Sequence, residues 1–242
     1  MAPNEIVKSY PKPGVGSAYS SGWRQLWKNF LELFLIGIIA FLISLPLYIG
    51  QWAGDMPGQF DFNFVNEPLT LLVMPNMTNV LIIAGMGLLV LAYAIFVNGP
   101  VEFGVSFAYL KAARSDKIEI KDIFAAFKNY WNAVLASLLV FTIVVIGLVL
   151  FIVPGILFAC KLAFTPYLVV DKKMEVIEAV KESWRMTRGY AWKIFLIGLL
   201  GIPIGILGLL CLGVGIIIAI MWISIAFAVF YHAVEKSREA SD

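Results

Sequence analysis

Long apolar runs separated by short polar segments dominate the pattern of this 242-residue chain. A helix that crosses the hydrocarbon core of a bilayer needs about 20 predominantly apolar residues, and six runs approach that length. They are residues 30–50, 79–98, 133–153, 155–170, 193–212 and 214–232. The pattern predicts an all-α polytopic membrane protein, with six transmembrane helices arranged as three hairpins in one domain over residues 30–232.

The positions of the basic residues predict how these helices are oriented. All but one of the 18 Lys and Arg residues lie in segments that alternate so as to fall on the same side of a membrane. Because short cytoplasmic loops carry an excess of Lys and Arg, both termini are predicted to be cytoplasmic. Residues 1–29 then form a cytoplasmic segment with an interfacial helix, residues 233–242 a cytoplasmic tail, and residues 51–77, which contain no base, an external loop.

Composition agrees with this interpretation. The chain is 61% hydrophobic and only 14% charged, which excludes an ordinary soluble domain. The net charge of +2 offers no basic surface for nucleic acid, so no nucleic-acid partner is expected. Membrane lipids are the expected partners, and a membrane protein or a second copy of the chain is the candidate protein partner.

Two cytoplasmic connections have apolar residues at helical spacing among charged ones, around residues 120–131 and 174–188. Both are predicted to be amphipathic helices that lie along the inner leaflet, for structural support or for lipid recognition. Trp27, Trp131 and Trp192 precede the three outward-going spans. Indole rings favour the headgroup region, so these tryptophans are predicted interfacial anchors.

The sequence offers little for catalysis. It has a single histidine, His232, and its two cysteines, Cys160 and Cys211, lie in apolar runs without partners at metal-ligand spacing. No nucleophile elbow, zinc-protease, P-loop or dinucleotide motif is present. We therefore expect no catalytic residues, no metal, no cofactor and no enzymatic activity.

Lys161 is the basic residue that lies inside an apolar run, where a charge costs about 3 kcal/mol. Glu102 and Glu32 are its acidic candidates for a partner. These three residues form the candidate intramembrane charge site. Three interpretations remain open for Lys161: a structural ion pair or a lysine whose charge reaches the interface, a charge that lines a cavity or transport route, and a protein contact.

Small and helix-breaking residues mark the later spans. Gly198, Gly201, Gly205 and Gly208 follow one another at spacings of three, four and three, which predicts a face where another helix approaches closely, in the bundle or between subunits. Gly99-Pro100, Thr165-Pro166 and Pro203 are predicted to interrupt spans two, four and five. Val153-Pro154-Gly155 is predicted to form the outer turn between spans three and four.

Several segments also resemble a known family. They are NGPVEFGVSFAYLKAARSDKIEIKDIFAAFKNYWNA (98–133), LFIVPGILFACKLAFTPYLVVD (150–171), EAVKESWRMTRGYAWKIF (178–195) and LCLGVG (210–215). Over residues 98–232 the chain resembles a prokaryotic domain-of-unknown-function family of six-helix membrane proteins, related to the membrane domain of some glycerophosphodiester phosphodiesterases. The resemblance implies a prokaryotic plasma-membrane protein and transfers no catalytic residue.

Two functions are consistent with these features. The first is a non-enzymatic accessory or scaffold subunit, which organises the membrane or a membrane complex through helix and lipid contacts. The alternative is a transporter or channel-like protein for a small solute or lipid, with a cavity near Lys161 and Glu102. A water-accessible cavity would favour transport, and a dry interior with an exposed glycine face would favour a scaffold.

Overall fold

The structure is a computed structural model, and it describes residues 13–54, 77–210 and 214–240. Within those ranges the chain forms helices and no β-strand, which confirms the all-α class. The α-helices are α1 (Val15–Lys28), α2 (Phe30–Gly54), α3 (Met77–Tyr93), α4 (Gly99–Arg114), α5 (Tyr130–Leu150), α6 (Ile152–Leu162), α7 (Thr165–Val170), α8 (Val176–Met186), α9 (Ala191–Leu210) and α10 (Val214–Glu239). A π-helical turn, Ala94–Asn98, joins α3 to α4, and a 3-10 helix, Ile120–Asn129, precedes α5.

Six helical segments of the described chain are long and apolar enough to cross a membrane. They are, as spans one to six, Phe30–Tyr48, Ala84–Arg114, Ile120–Leu150, Ile152–Val170, Ala191–Leu210 and Gly215–Glu239. Their number agrees with the prediction, and they indicate a multi-pass membrane protein. Spans three and four pack together, as do spans five and six. The three-hairpin pairing and the cytoplasmic location of both termini stay predictions.

Span two is longer than the sequence pattern predicts. We expected it to end at residue 98 because Gly99-Pro100 interrupts an α-helix, but the helix continues to Arg114. The π-helical turn widens the helix directly before Pro100, and proline is tolerated in the first turn of α4. Glu102 therefore lies inside span two and not beyond its inner end.

The turn between α5 and α6 also differs from the prediction. It is formed by Phe151, whose backbone is extended, and not by residues 153–155. Pro154 lies in the first turn of α6, where a backbone N–H has no intrahelical partner, so proline costs nothing there. The two helices then approach closely, because a Cβ atom on Gly147 would lie 2.9 Å from the Cα atom of Gly155.

Span four is broken after Leu162, as Thr165-Pro166 predicts. Residues of the α8 region satisfy the freed backbone groups. The Ser183 hydroxyl donates to the Lys161 carbonyl at 2.8 Å and accepts from the Phe164 N–H at 3.3 Å. The Thr187 hydroxyl lies 3.2 Å from the same carbonyl. A broken helix in lipid needs this kind of pairing from neighbouring protein.

Two other prolines do not end the helices that contain them. Pro46 lies inside α2 and Pro203 inside α9. The predicted interruption of span five at Pro203 is therefore wrong, because proline in an apolar helix removes one backbone hydrogen bond without necessarily ending the helix.

Helices at both ends of the predicted membrane domain are joined to it in the structure, and the domain boundaries stay predictions. α1 is tied to spans five and six, because the Tyr19 hydroxyl donates to the Ile197 carbonyl at 2.7 Å and the Trp222 indole N–H donates to the Tyr19 carbonyl at 2.9 Å. α10 continues to Glu239, so the boundary placed between residues 232 and 233 falls inside a helix. Of the predicted external loop, residues 55–76 lie outside the described residues, as do residues 211–213 between spans five and six.

The two connections that were predicted to be amphipathic helices bury some of their apolar residues and expose others. In the 3-10 helix the buried residues are Asp122, Ile123 and Ala126, and the exposed apolar ones are Ile120, Phe124 and Phe127. In α8 the buried residues are Ala179, Ser183 and Met186, whereas Ile177 and Trp184 are exposed. Contact of the exposed apolar side chains with lipid stays a prediction.

Candidate functional site

A partly open cavity of about 420 Å³ lies between spans one, two, four and six. Its volume falls in the range of about 300–1,000 Å³ that small-molecule sites occupy. Most of its lining is apolar or aromatic, and the polar side chains are Ser44 of α2, Asn98 of the π-helical turn, Glu102 and Ser106 of α4, and Ser224 of α10. A mostly apolar wall with a few convergent polar groups is typical of a ligand site.

Glu102 carries the only formal charge among the described residues that line this cavity. Arg114 is the last residue of span two. Glu102 precedes it by slightly more than three helical turns, which is about 18 Å at 1.5 Å per residue. This distance places it near the middle of the 31-residue span. Its side chain is exposed to the cavity, and no Lys, Arg or His in the described ranges forms an ion pair with it. Ionisable groups at such depth are costly and mark candidate functional sites.

A polar stripe along span two accompanies Glu102. Asn98, Glu102 and Ser106 are four residues apart, so they share one face of the helix, which is the face that lines the cavity. On the facing helix α2, the Ser44 hydroxyl lies 2.7 Å from Asn98 Oδ1. The stripe is visible in the sequence, but we missed it because Pro100 was interpreted as the end of the span.

The structure does not bring the three predicted charges together. Lys161 Nζ lies 4.7 Å from the centroid of the Trp184 ring on α8, in a cation–π contact. Glu32 is exposed in the first turn of α2. No ion pair joins Lys161 to Glu102 or Glu32 in the part of the chain that the structure describes.

The cavity predicted near both Lys161 and Glu102 therefore requires a correction. Glu102 lines the cavity, whereas Lys161 does not. The reason is that Ala163 and Tyr167 of span four line the cavity, while the Lys161 ammonium group contacts α8.

A second group of charges, which sequence reasoning missed, joins the Arg114 end of span two to spans four and six. The Arg114 guanidinium donates to both Asp171 oxygens, at 2.7 and 2.8 Å, and to Glu235 Oε2 at 2.9 Å. Lys172 Nζ lies 2.6 Å from Glu235 Oε1, and His232 Nδ1 lies 3.3 Å from Glu235 Oε2. The side chains of Asp171 and Glu235 are only 13% and 8% exposed. We call these five residues the Arg114 cluster.

Sequence patterns could not have found the Arg114 cluster. Arg114 is 57 residues from Asp171 and 121 residues from Glu235. Helical periodicity relates residues within a few turns of each other, so it is silent on pairs at this separation. A bidentate pair between arginine and a carboxylate is among the stronger charged hydrogen-bonding contacts in proteins. The contacts of Arg114 therefore fix α4 against α7 and α10.

The glycine stripe of α9 divides into two lines. Gly201 and Gly208 face α10, because added Cβ atoms would lie 3.2 Å from the Ile223 side chain and 2.7 Å from the Gly215 carbonyl oxygen. A Cβ atom on Gly198 would meet only the end of the Phe227 ring at 3.9 Å, and one on Gly205 would meet nothing within 4 Å. Gly201 and Gly208 are therefore packed tightly in the bundle, whereas Gly198 and Gly205 leave room beside α9 in the described structure.

The predicted tryptophan anchors are all more than half exposed: Trp27, Trp131 and Trp192 at 52%, 65% and 69%. Their exposure leaves the indole rings available to headgroups, and the anchoring role stays a prediction. No three His, Cys, Asp or Glu side chains of the described residues are grouped so as to hold a metal ion.

Comparison with known protein families finds a match in the second half of the chain. Residues 137–238 match the family model of a protein of unknown function, DUF975. The match covers fewer than half of the 242 residues, so it shows a similarity of the second half of the chain and leaves the stretch with Glu102 unmatched. No curated protein and no solved structure matches the chain. The similarity to an unknown-function family agrees with the resemblance found in the sequence, whereas the relation to glycerophosphodiester phosphodiesterases stays a prediction.

Proposed function

We propose that this protein is a non-enzymatic multi-pass protein of a prokaryotic plasma membrane, which binds a small solute or lipid in the Glu102 cavity and transports it. The observation that supports this proposal best is an ionisable side chain, near the middle of span two, that is exposed to a cavity and has no basic partner among the described residues. A carboxylate at this depth is expensive unless water or a ligand reaches it.

Water access to the cavity is the first requirement of this function. In a variant without Cys160 and Cys211, we expect Ser106→Cys to react with a hydrophilic methanethiosulfonate reagent. Phe141→Cys is the matched control, because Phe141 is 58% exposed on α5 and does not line the cavity. Because the thiolate is the reacting species and hydrocarbon disfavours it, Ser106→Cys should react at least about tenfold faster. Equal, slow reaction of both cysteines would mean a dry cavity and would overturn the transport proposal.

Two glycines of α9 favour a second candidate, the scaffold or accessory role. A Cβ atom on Gly205 would meet nothing within 4 Å and one on Gly198 only the Phe227 ring at 3.9 Å, so both positions leave room beside α9. Small residues allow the backbones of two membrane helices to approach closely, so a helix of a partner or of a second copy could pack there. This role needs no ligand in the Glu102 cavity.

Paired substitutions in α9 separate association from folding. We expect Gly208→Leu to destabilise the monomer, since its Cβ atom alone would lie 2.7 Å from a backbone oxygen of Gly215. Gly205→Leu should leave the monomer stable, since its Cβ atom has open space. Disulfide-independent crosslinking in native membranes, followed by thermal unfolding of the purified protein, measures both effects. If Gly205→Leu changes neither the crosslinked species nor the stability, this side of α9 is not an interface.

A further inference from the structure

We propose that the ligand of the Glu102 cavity is an organic cation, with an amine or quaternary ammonium group on an apolar body. This inference rests on the proposed function and specifies the ligand of that site. It follows from two properties of the lining, its charge and its aromatic content.

The charge of the described lining has one sign. Glu102 supplies a carboxylate, and no Lys, Arg or His among the described residues lines the cavity. Lys161, the basic residue of the predicted charge site, has its ammonium group over the Trp184 ring instead. Bringing a cation to an unpaired carboxylate in surroundings of low dielectric constant is favourable, whereas bringing an anion is strongly unfavourable.

The aromatic content distinguishes an organic cation from a metal ion. Six aromatic residues line the cavity beside Glu102: Phe41 and Tyr48 on α2, Phe103 and Tyr109 on α4, Tyr167 on α7, and Phe227 on α10. Aromatic faces attract ammonium groups and also provide apolar contact for the rest of the molecule. A hard metal ion would need about six oxygen ligands, and the only carboxylate in the described lining is that of Glu102.

The positions of the polar residues along the cavity favour an extended ligand. Ser44 and Asn98 lie at one end of the polar stripe, one helical turn before Glu102, and Ser106 lies one turn after it. A ligand that spans this stripe would place its charge at the carboxylate and its apolar body against the rings. The volume of about 420 Å³ accommodates an organic molecule of this kind.

Two probes of the same shape and opposite charge test the inference. Tetraphenylphosphonium and tetraphenylborate are added separately to the full-length protein in phosphatidylcholine nanodiscs, and empty nanodiscs are subtracted in equilibrium dialysis. We expect saturable binding of tetraphenylphosphonium only. Glu102→Gln should weaken this binding roughly tenfold or more, since the charge is removed while the shape is kept.

Three further variants keep the experiment decisive if Glu102→Gln folds poorly. Glu102→Asp keeps the charge and should retain most of the affinity for tetraphenylphosphonium. Glu32→Gln makes the same change at an exposed acid of span one that does not line the cavity, and it should bind as the unmodified protein does. Phe41→Leu should weaken binding about threefold by removing one ring.

The outcomes separate the inference from the function on which it rests. Equal binding of both probes, or full binding by Glu102→Gln, overturns the organic-cation inference and leaves a ligand cavity in place. Absence of saturable binding of tetraphenylphosphonium, with Ser106→Cys still labelled, also overturns the inference alone. Failure of Ser106→Cys to react overturns the proposed function itself.

Discussion

Gly104→Ala is expected to prevent folding, or to lower the free energy of unfolding by about 3 kcal/mol or more. A Cβ atom at position 104 would lie 1.8 Å from the carbonyl oxygen of Ile123 and 2.5 Å from its carbonyl carbon. Both obstacles are backbone atoms of the 3-10 helix, so no change of rotamer can remove the clash. Either α4 or the 3-10 helix would have to move.

The matched control is Gly87→Ala in α3. An added Cβ atom there would meet nothing within 4 Å. Because alanine is favoured over glycine in a helix interior, this variant should be as stable as the unmodified protein or more stable by up to about 1 kcal/mol. Thermal unfolding of the detergent-solubilised proteins, followed by circular dichroism, measures both variants. An unchanged midpoint for Gly104→Ala would mean that α4 and the 3-10 helix do not pack as closely as the structure shows.

The close contact at Gly104 also concerns the cavity. Gly104 lies on α4 between Glu102 and Ser106, and its packing against Ile123 fixes the rotation of α4 about its axis. That rotation turns the polar stripe toward α2 and α10. A partly folded Gly104→Ala protein should therefore also lose the binding of tetraphenylphosphonium, if the organic-cation inference is correct.

The sequence was sufficient for the number of spans, because hydrocarbon imposes a length of about 20 apolar residues on each helix. It was insufficient for the ends of the spans. Pro100 and Pro154 each predicted a turn or a helix end, yet each lies in the first turn of a helix that continues for many residues. Proline has no backbone N–H, and only the fold determines whether a hydrogen bond is lost at that position.

The sequence predicted the part of the candidate site that depends on local spacing, but not the part that depends on distant contacts. Glu102 stood out as an acid among apolar residues, and its stripe partners Asn98 and Ser106 follow from helical spacing once the span is extended. The contact between Lys161 and Trp184, which removes Lys161 from the cavity, joins α6 to α8. The ion pairs of Arg114 with Asp171 and Glu235 join segments even farther apart. Local patterns contain no information on such partners.

Arg114→Met is expected to cost about 3–5 kcal/mol of stability, because it leaves buried carboxylates without their cation. Asp171 would lose both of its hydrogen bonds with Arg114, whereas Glu235 would keep Lys172 and His232 as neighbours. The double variant Arg114→Met with Asp171→Leu should recover part of the loss, since it removes the carboxylate that the single change exposes to low dielectric surroundings.

An exposed ion pair provides the control for Arg114→Met. Arg185 pairs with Glu182 on α8, but its side chain is 68% exposed, so Arg185→Met should cost about 0–1 kcal/mol. Thermal unfolding of the four proteins gives the comparison. The recovery in the double variant tests whether the unpaired Asp171 carboxylate causes the loss of stability. If Arg114→Met costs no more than Arg185→Met, water screens the Arg114 cluster and it does not hold spans two, four and six together. If it costs several kcal/mol and the double variant recovers part, the bidentate pair fixes the C-terminal end of α4, and with it the direction in which Glu102 faces.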